Sequence, residues 1–255
     1  MTDPQEPQGQ VPSSGSPTAD CPARPARLCC GPWRACSAAL LGGLITWGLL
    51  QCCFPVFEIP VELQDLPSPQ PPDLAAKAAA ATVVATRWNA VLTLGILGVA
   101  AAALLAVVEA FSRGVAASAW WRALTSGLVA GGLAAAGGFV ASLLLVSPAL
   151  LAELSPLART IAVHCAGLGI LGLGIGAGVG LATGSGRLVV QAGLAGLLGG
   201  VLVGFLYPPL MAFLLPIAKT ERVIPLEATS QLIWVVSAAL LPTLVMTGLG
   251  GNKPR

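Results

Sequence analysis

From Ala166 to Pro209 the chain reads AGLGILGLGIGAGVGLATGSGR and then LVVQAGLAGLLGGVLVGFLYPP, two long apolar runs joined by a short polar turn. Wound as helices at ~100° per residue, Gly172, Gly176, Gly180 and Gly184 share one face of the first, while Gly196, Gly200 and Gly204 share one face of the second. In water each such glycine weakens a helix by roughly 1 kcal/mol relative to alanine. In hydrocarbon a helix cannot open without stranding its backbone N–H and C=O groups, so glycine is tolerated and permits close backbone approach. The stretch therefore predicts a membrane helix hairpin with small-residue packing seams.

Composition extends that reading to the whole chain. Hydrophobic residues make up 55%, charged residues only 9%, and mean hydropathy is +0.83, against roughly 25% charged residues in soluble domains. The expected fold is all-α, a polytopic membrane bundle of about six helices in contact with a lipid bilayer. A net charge of +2 with no Lys/Arg run gives no nucleic-acid surface.

Residues 1–32 are rich in Pro, Ser, Gln and Gly without apolar period, and read as a disordered tail. The spans expected after it cover about 33–54, 87–111, 123–146, 159–183, 187–206 and 231–249, with 250–255 as a second polar tail. Leu49-Leu50-Gln51-Cys52 faintly resembles a lipoprotein cleavage box, but Gln51 occupies the small-residue position. A proline-rich, acidic loop follows the first span. Asp73 is a candidate N-cap for a helix that would run ~60 Å to Gly114, so its first turns should stand outside the ~30 Å hydrocarbon layer. Ser155-Pro156 reads as a cap followed by proline at the first helical position. Pro208 and Pro209 should end or bend the fifth span, leaving 207–230 as a helix extension or an interfacial loop.

Six spans put both termini on one side. If that side is cytoplasmic it holds Arg24, Arg27, Arg34, Arg113, Arg122, Arg187, Lys253 and Arg255, against Lys77, Arg87, Arg159, Lys219 and Arg222 outside. Eight against five is a modest positive-inside bias, consistent with a multi-pass protein of the inner (plasma) membrane with both termini cytoplasmic. The second and third spans also align with the fourth and fifth: Arg87, Ala90, Val91 and Gly95 fall on Arg159, Ala162, Val163 and Gly167, while Gly127-Leu128 and Gly138-Phe139 fall on Gly193-Leu194 and Gly204-Phe205. A duplicated hairpin is the expectation.

The candidate polar positions are few. Gly167-Leu-Gly169-Ile-Leu-Gly172 satisfies G-x-G-x-x-G, yet no strand precedes it and no acidic residue follows at the required distance, so it reads as packing. His164, the chain's one histidine, lies one turn inside the fourth span, and an intramembrane ionisable group is a site candidate by default. A hydrogen-bonded neutral ring is the plainer reading. Glu109 precedes Arg113 by one turn and suggests an i,i+4 pair. Gln191 could hydrogen-bond across the hairpin. Cys21, Cys29, Cys30 and Cys36 lack the C-x2-C pairs of structural zinc, and no Ser/His/Asp, Cys/His or paired-carboxylate set can be assembled within the spans. No cofactor, metal or catalytic residue is therefore expected.

The Gly-rich span resembles the first helix of rotor-ring c subunits of ATP synthases. That family's second helix bears an ion-binding carboxylate, which Leu188 to Leu206 lacks, so the resemblance implies packing only. From the fourth span through LLPIAKTERVIP the chain resembles uncharacterised Gly/Ala-rich multi-pass proteins of planctomycete-type bacteria, a likeness that covers about the C-terminal half and implies no activity. The resulting expectation is a non-enzymatic structural or interaction role, with a homo-oligomer or membrane-protein partner reached through the glycine faces. The alternative is a small-solute transporter or channel built from the two hairpins.

Overall fold

The computed structural model describes residues 30–63, 71–147, 151–215 and 222–251. Most of the expected N-terminal tail, Ser68, Pro148, Lys219 and the last four residues lie outside that set. Among the described residues the fold is all-helical, with six helices long and apolar enough to cross a membrane. They are α1 (Pro32–Cys53), α2 (Pro72–Ser112), α3 (Ala119–Val146), α4 (Pro156–Ala182), α5 (Gly186–Leu214) and α6 (Ala228–Gly251). Lipid contact follows from large apolar side chains left exposed around the bundle, such as Leu128, Leu194, Leu198, Phe205 and Phe213.

Several boundaries have visible causes. Ser155 caps α4 by accepting the Ala158 N–H at 3.3 Å, with Pro156 at the first helical position. Ser185 caps α5 through the Leu188 N–H. Asp73 is not the cap of α2: Pro71 holds that position, and Asp73 lies in the first turn, where its charge favours the helix N-terminus. The prolines do not end α5 at 206. The helix continues to Leu214 although Pro208 and Pro209 have no N–H for the Gly204 and Phe205 carbonyls, because Tyr207, Pro208 and Met211 are buried against the core and hold the backbone in line. Likewise, α1 starts at Pro32, inside the expected tail, and α6 runs through Gly251.

Neighbouring helices in sequence pack side by side, and α1 returns to α6, closing the ring; α4 additionally touches α2 and α6. Its apolar window is 72% buried, against 50% or less for every other helix, so α4 is the central element. The ring closes through Gln51, whose Nε2 donates to Gln231 Oε1 at 2.7 Å, and through Trp47 Nε1, which donates to the Ala228 carbonyl at 3.0 Å. The turns α2–α3 and α4–α5, together with the start of α1, mark one end of the bundle, here the turn end; the opposite end is the far end.

The two hairpins repeat in three dimensions, but in a register different from the sequence alignment. In α2–α3, a Cβ on Gly95 would meet Ala135 and Gly131, and one on Gly98 would meet Ala130 and Ala134. In α4–α5, Gly169 meets Val201 and Leu197, and Gly172 meets Gly196 and Gly200. The second members are unchanged, with Gly138 and Gly204 still equivalent, but Gly95 corresponds to Gly169 rather than Gly167. This register superimposes Leu94-Gly-Ile-Leu-Gly98 on an identical Leu168-Gly-Ile-Leu-Gly172. Both hairpins run in the same direction, as in parallel repeats about an axis normal to the membrane.

Candidate functional site: a backbone seam and a buried histidine–tyrosine pair

Along α4–α5 the two backbones touch. A Cβ on Gly172 would run into the Gly196 carbonyl, and one on Gly196 into the Gly172 carbonyl; Gly176 meets Ala192, Gly180 meets Val189, and Gly200 meets Leu168. At Gly204 the nearest atom is the Cys165 nitrogen, 2.5 Å from where a Cβ would stand. Of the glycines expected on this seam, Gly184 is misplaced. It follows the end of α4 with φ +73° and has open space around it, so it supplies the left-handed turn that lets the chain reverse.

A second glycine face on α4 is hidden in the sequence by the first. Gly174 and Gly178 point the other way, where a Cβ would stand 2.9 Å from the Ala130 carbonyl and 2.6 Å from that of Ser126, both in α3. Glycine at every second position from 172 to 180 thus serves two neighbours at once. Because these faces are consumed inside the chain, a partner approaching from the membrane would meet leucine, valine and phenylalanine instead.

The polar candidates separate. His164 is buried on the inward stripe of α4 with Leu168, Leu171 and Ile175. Its Nδ1 lies 2.9 Å from the Thr160 carbonyl, which can only accept, so Nδ1 carries the proton. Its ring packs on that of Tyr207 in α5, with centroids 5.5 Å apart and planes 33° from parallel. His164 Nε2, Tyr207 Oη and Trp234 Nε1 are buried without a hydrogen-bond partner among the described residues. Sequence reasoning misses Tyr207 and Trp234 because each is an ordinary core residue taken alone.

Glu109 is at the turn end and is buried. Its carboxylate accepts the Arg113 Nε–H at 2.6 Å and the Cys30 N–H at 2.9 Å, so it both pairs with the residue that caps the end of α2 and anchors the start of α1. Gln191 does not bridge the hairpin. It lies on the exposed face of α5, since the face toward α4 is taken by Val189, Ala192, Gly193 and Gly196. The thiols of Cys36, Cys52, Cys53 and Cys165 are free, and no group of metal-ligating side chains occurs among the described residues.

Asn89, near the far end, emerges only in three dimensions. Its Oδ1 accepts from the Val56 and Phe57 N–H groups at 3.0 Å each, and its Nδ2 donates to the Phe57 carbonyl at 2.9 Å, so it clamps the chain leaving α1 onto α2. Beside it an apolar crevice of about 110 Å³ opens between α1 and α2, lined by Leu49, Leu50, Phe54, Leu92 and Ile96 among others.

No protein-family profile, no curated protein and no solved structure matches the chain. What the sequence and the geometry together establish is an integral, multi-pass, helical membrane protein.

Proposed function

We propose that this protein is a non-enzymatic component of the inner (plasma) membrane, with both termini cytoplasmic and a structural or interaction role. The observation that supports this reading most is the α4–α5 seam. Two backbones meet at successive turns from Gly180 near one end to Gly204 near the other, so that backbone atoms rather than mobile side chains set the spacing at each of those turns. Such a hairpin moves as one body. The turn end carries Arg113, Arg122 and Arg187 with exposed Trp120 and Trp121, the pattern of a cytoplasmic interface.

The competing design, a transporter whose hairpins rock against each other, is separable by experiment. Spin labels at Leu124 in α3 and Val190 in α5, both exposed near the turn end, should give one narrow distance in lipid, unchanged by a pH or sodium gradient. Proteoliposomes should show no gradient-driven flux above protein-free vesicles. Two distances that interconvert with the gradient, or a flux abolished by Glu109→Gln, would replace the structural reading with transport.

A further inference from the structure

The chain has one histidine and one tyrosine, and the fold brings them into ring contact across α4 and α5 in the far half of the bundle. In the register that relates the hairpins, His164 corresponds to Ala90 and Tyr207 to Ala141, both fully buried. The same scaffold is thus closed in one copy by two methyl groups and in the other by two polar rings. Packing alone does not require the rings, since the first hairpin keeps an equally close crossing without them, with Gly138 against the Ala90 carbonyl.

The hydrogen-bonding capacity left over is complementary. With Nδ1–H donating to Thr160, the uncharged His164 ring presents Nε2 as an acceptor, while the Tyr207 hydroxyl offers a donor. A buried polar atom without a partner costs about 1–3 kcal/mol, so two rings in contact that each carry such an atom favour whatever satisfies both. Trp234 lies at the same depth: α5 and α6 run antiparallel with Gly199 facing Pro242, which brings Trp234 level with Tyr207. Its unpaired Nε1–H is a further donor.

We propose that His164 and Tyr207 form a binding site for one small uncharged hydroxyl ligand, which donates to His164 Nε2 and accepts from the Tyr207 O–H. The shared chemistry is an O–H group, supplied either by water or by the hydroxyl of a lipid glycerol headgroup. The site does not depend on whether the bundle transports or scaffolds, and its test reads neither flux nor hairpin motion.

Because histidine occurs once, solid-state NMR of the full-length protein in bilayers, with [15N]imidazole label, gives a single assigned site. The expected spectrum has a protonated Nδ1 and a non-protonated Nε2 in the hydrogen-bonded acceptor range. Nε2 should receive polarisation from protons outside the protein. Loss of all transfer in D2O identifies water; transfer that persists in D2O from the non-exchangeable glycerol C–H protons beside the hydroxyl, and is lost when those carbons are deuterated, identifies the lipid. Tyr207→Phe should reduce the transfer at least twofold while the Nδ1 signal is kept, which also shows that the fold survives. The proposal is overturned if Nε2 carries a free-acceptor shift without transfer, if Nε2 is the protonated nitrogen, or if the only proton reaching it is the Tyr207 hydroxyl's own.

Discussion

Replacing Gly176 by alanine adds one methyl group at the tightest part of the hairpin, and its effect can be worked out by comparison with Gly132→Ala. Gly132, on the exposed face of α3, has no atom within 4 Å of the place its Cβ would take, whereas at Gly176 the Cβ would stand 2.5 Å from the Ala192 carbonyl carbon and 2.9 Å from Gly193 Cα. Both changes carry the same gain in helix propensity, up to ~1 kcal/mol, so their difference isolates the clash. Ordinary contact begins at 3.4 Å; α4 and α5 must therefore part by about 1 Å, a gap that forfeits a quarter to a half of each dispersion contact it opens. The loss extends to Gly172–Gly196 and Gly180–Val189, one turn to either side. Overpacking of this kind costs about 1–3 kcal/mol. At about 2–4 °C per kcal/mol for a chain of this size, Gly176→Ala should melt roughly 2–12 °C below Gly132→Ala in the same lipid or detergent, followed by circular dichroism. Gly176→Leu should melt lower still. Equal melting of the two alanine variants would mean that the seam is not closed in the membrane and that its glycines serve another purpose.

Three further outcomes are expected. Glu109→Gln, which weakens the charge-assisted bonds to Arg113 and to the Cys30 N–H, should cost about 1.5–3 kcal/mol in thermal unfolding; an unchanged Tm would show that the start of α1 is held by other contacts. Asn89→Ala removes three hydrogen bonds between α2 and residues 56–57 and should accelerate proteolysis between α1 and α2, whereas Asn89→Asp, which keeps both acceptor contacts, should fall between the two; cleavage at the wild-type rate in both would refute the clamp. In a cysteine-free background, a thiol at Glu62 should react with a membrane-impermeant maleimide on intact cells and one at Gly186 should not, and the reverse pattern would invert the topology.

Much of the fold is legible in the sequence because hydrocarbon leaves few choices. A helix must keep its backbone bonds internal, so apolar runs of the right length can be read directly as α1 to α6, and Ser155-Pro156 carries its own start signal. What cannot be read is whatever depends on pairing between distant segments. Sequence alone matches Gly95 to Gly167 because glycine stands at both 167 and 169, two positions apart; only the atoms facing Gly95 and Gly169 fix the register. The same two-residue spacing conceals that Gly174 and Gly178 serve α3 while Gly172 and Gly176 serve α5. Polarity alone assigns Gln191 to the hairpin, whereas its angular position on α5 turns it outward. Glu109 is legible as a partner of Arg113, four residues away, but not as the acceptor for Cys30, which is distant in sequence and adjacent only because α1 packs on α2.

The hairpin register also accounts for the unequal glycine content of the two copies. Ala100, Ala102, Leu104 and Ala106 of α2 correspond to Gly174, Gly176, Gly178 and Gly180 of α4, so the second copy has a hydrogen atom wherever the first has a side chain. Both helices pack against a neighbour on each side, but the neighbours differ. The face of α2 turned to α1 is approached at Ala101 by Gly42, where a Cβ would stand 2.9 Å from the Ala101 Cα; the close approach is supplied by α1, and α2 can keep its alanines. On its other side α2 meets α3 at Gly131 and Gly138, glycines of the partner, and gives up side chains of its own only at Gly95 and Gly98. Central α4 has that relief only in its first half, where Gly137 of α3 and Gly196, Gly200 and Gly204 of α5 approach it; from Gly174 to Gly180 it meets Ala130 and Ser126 toward α3, and Val189 and Ala192 toward α5, residues that all carry side chains. A helix enclosed on both sides by neighbours with side chains must give up its own, and alternating glycine is the one pattern that does so on two faces separated by roughly half a turn.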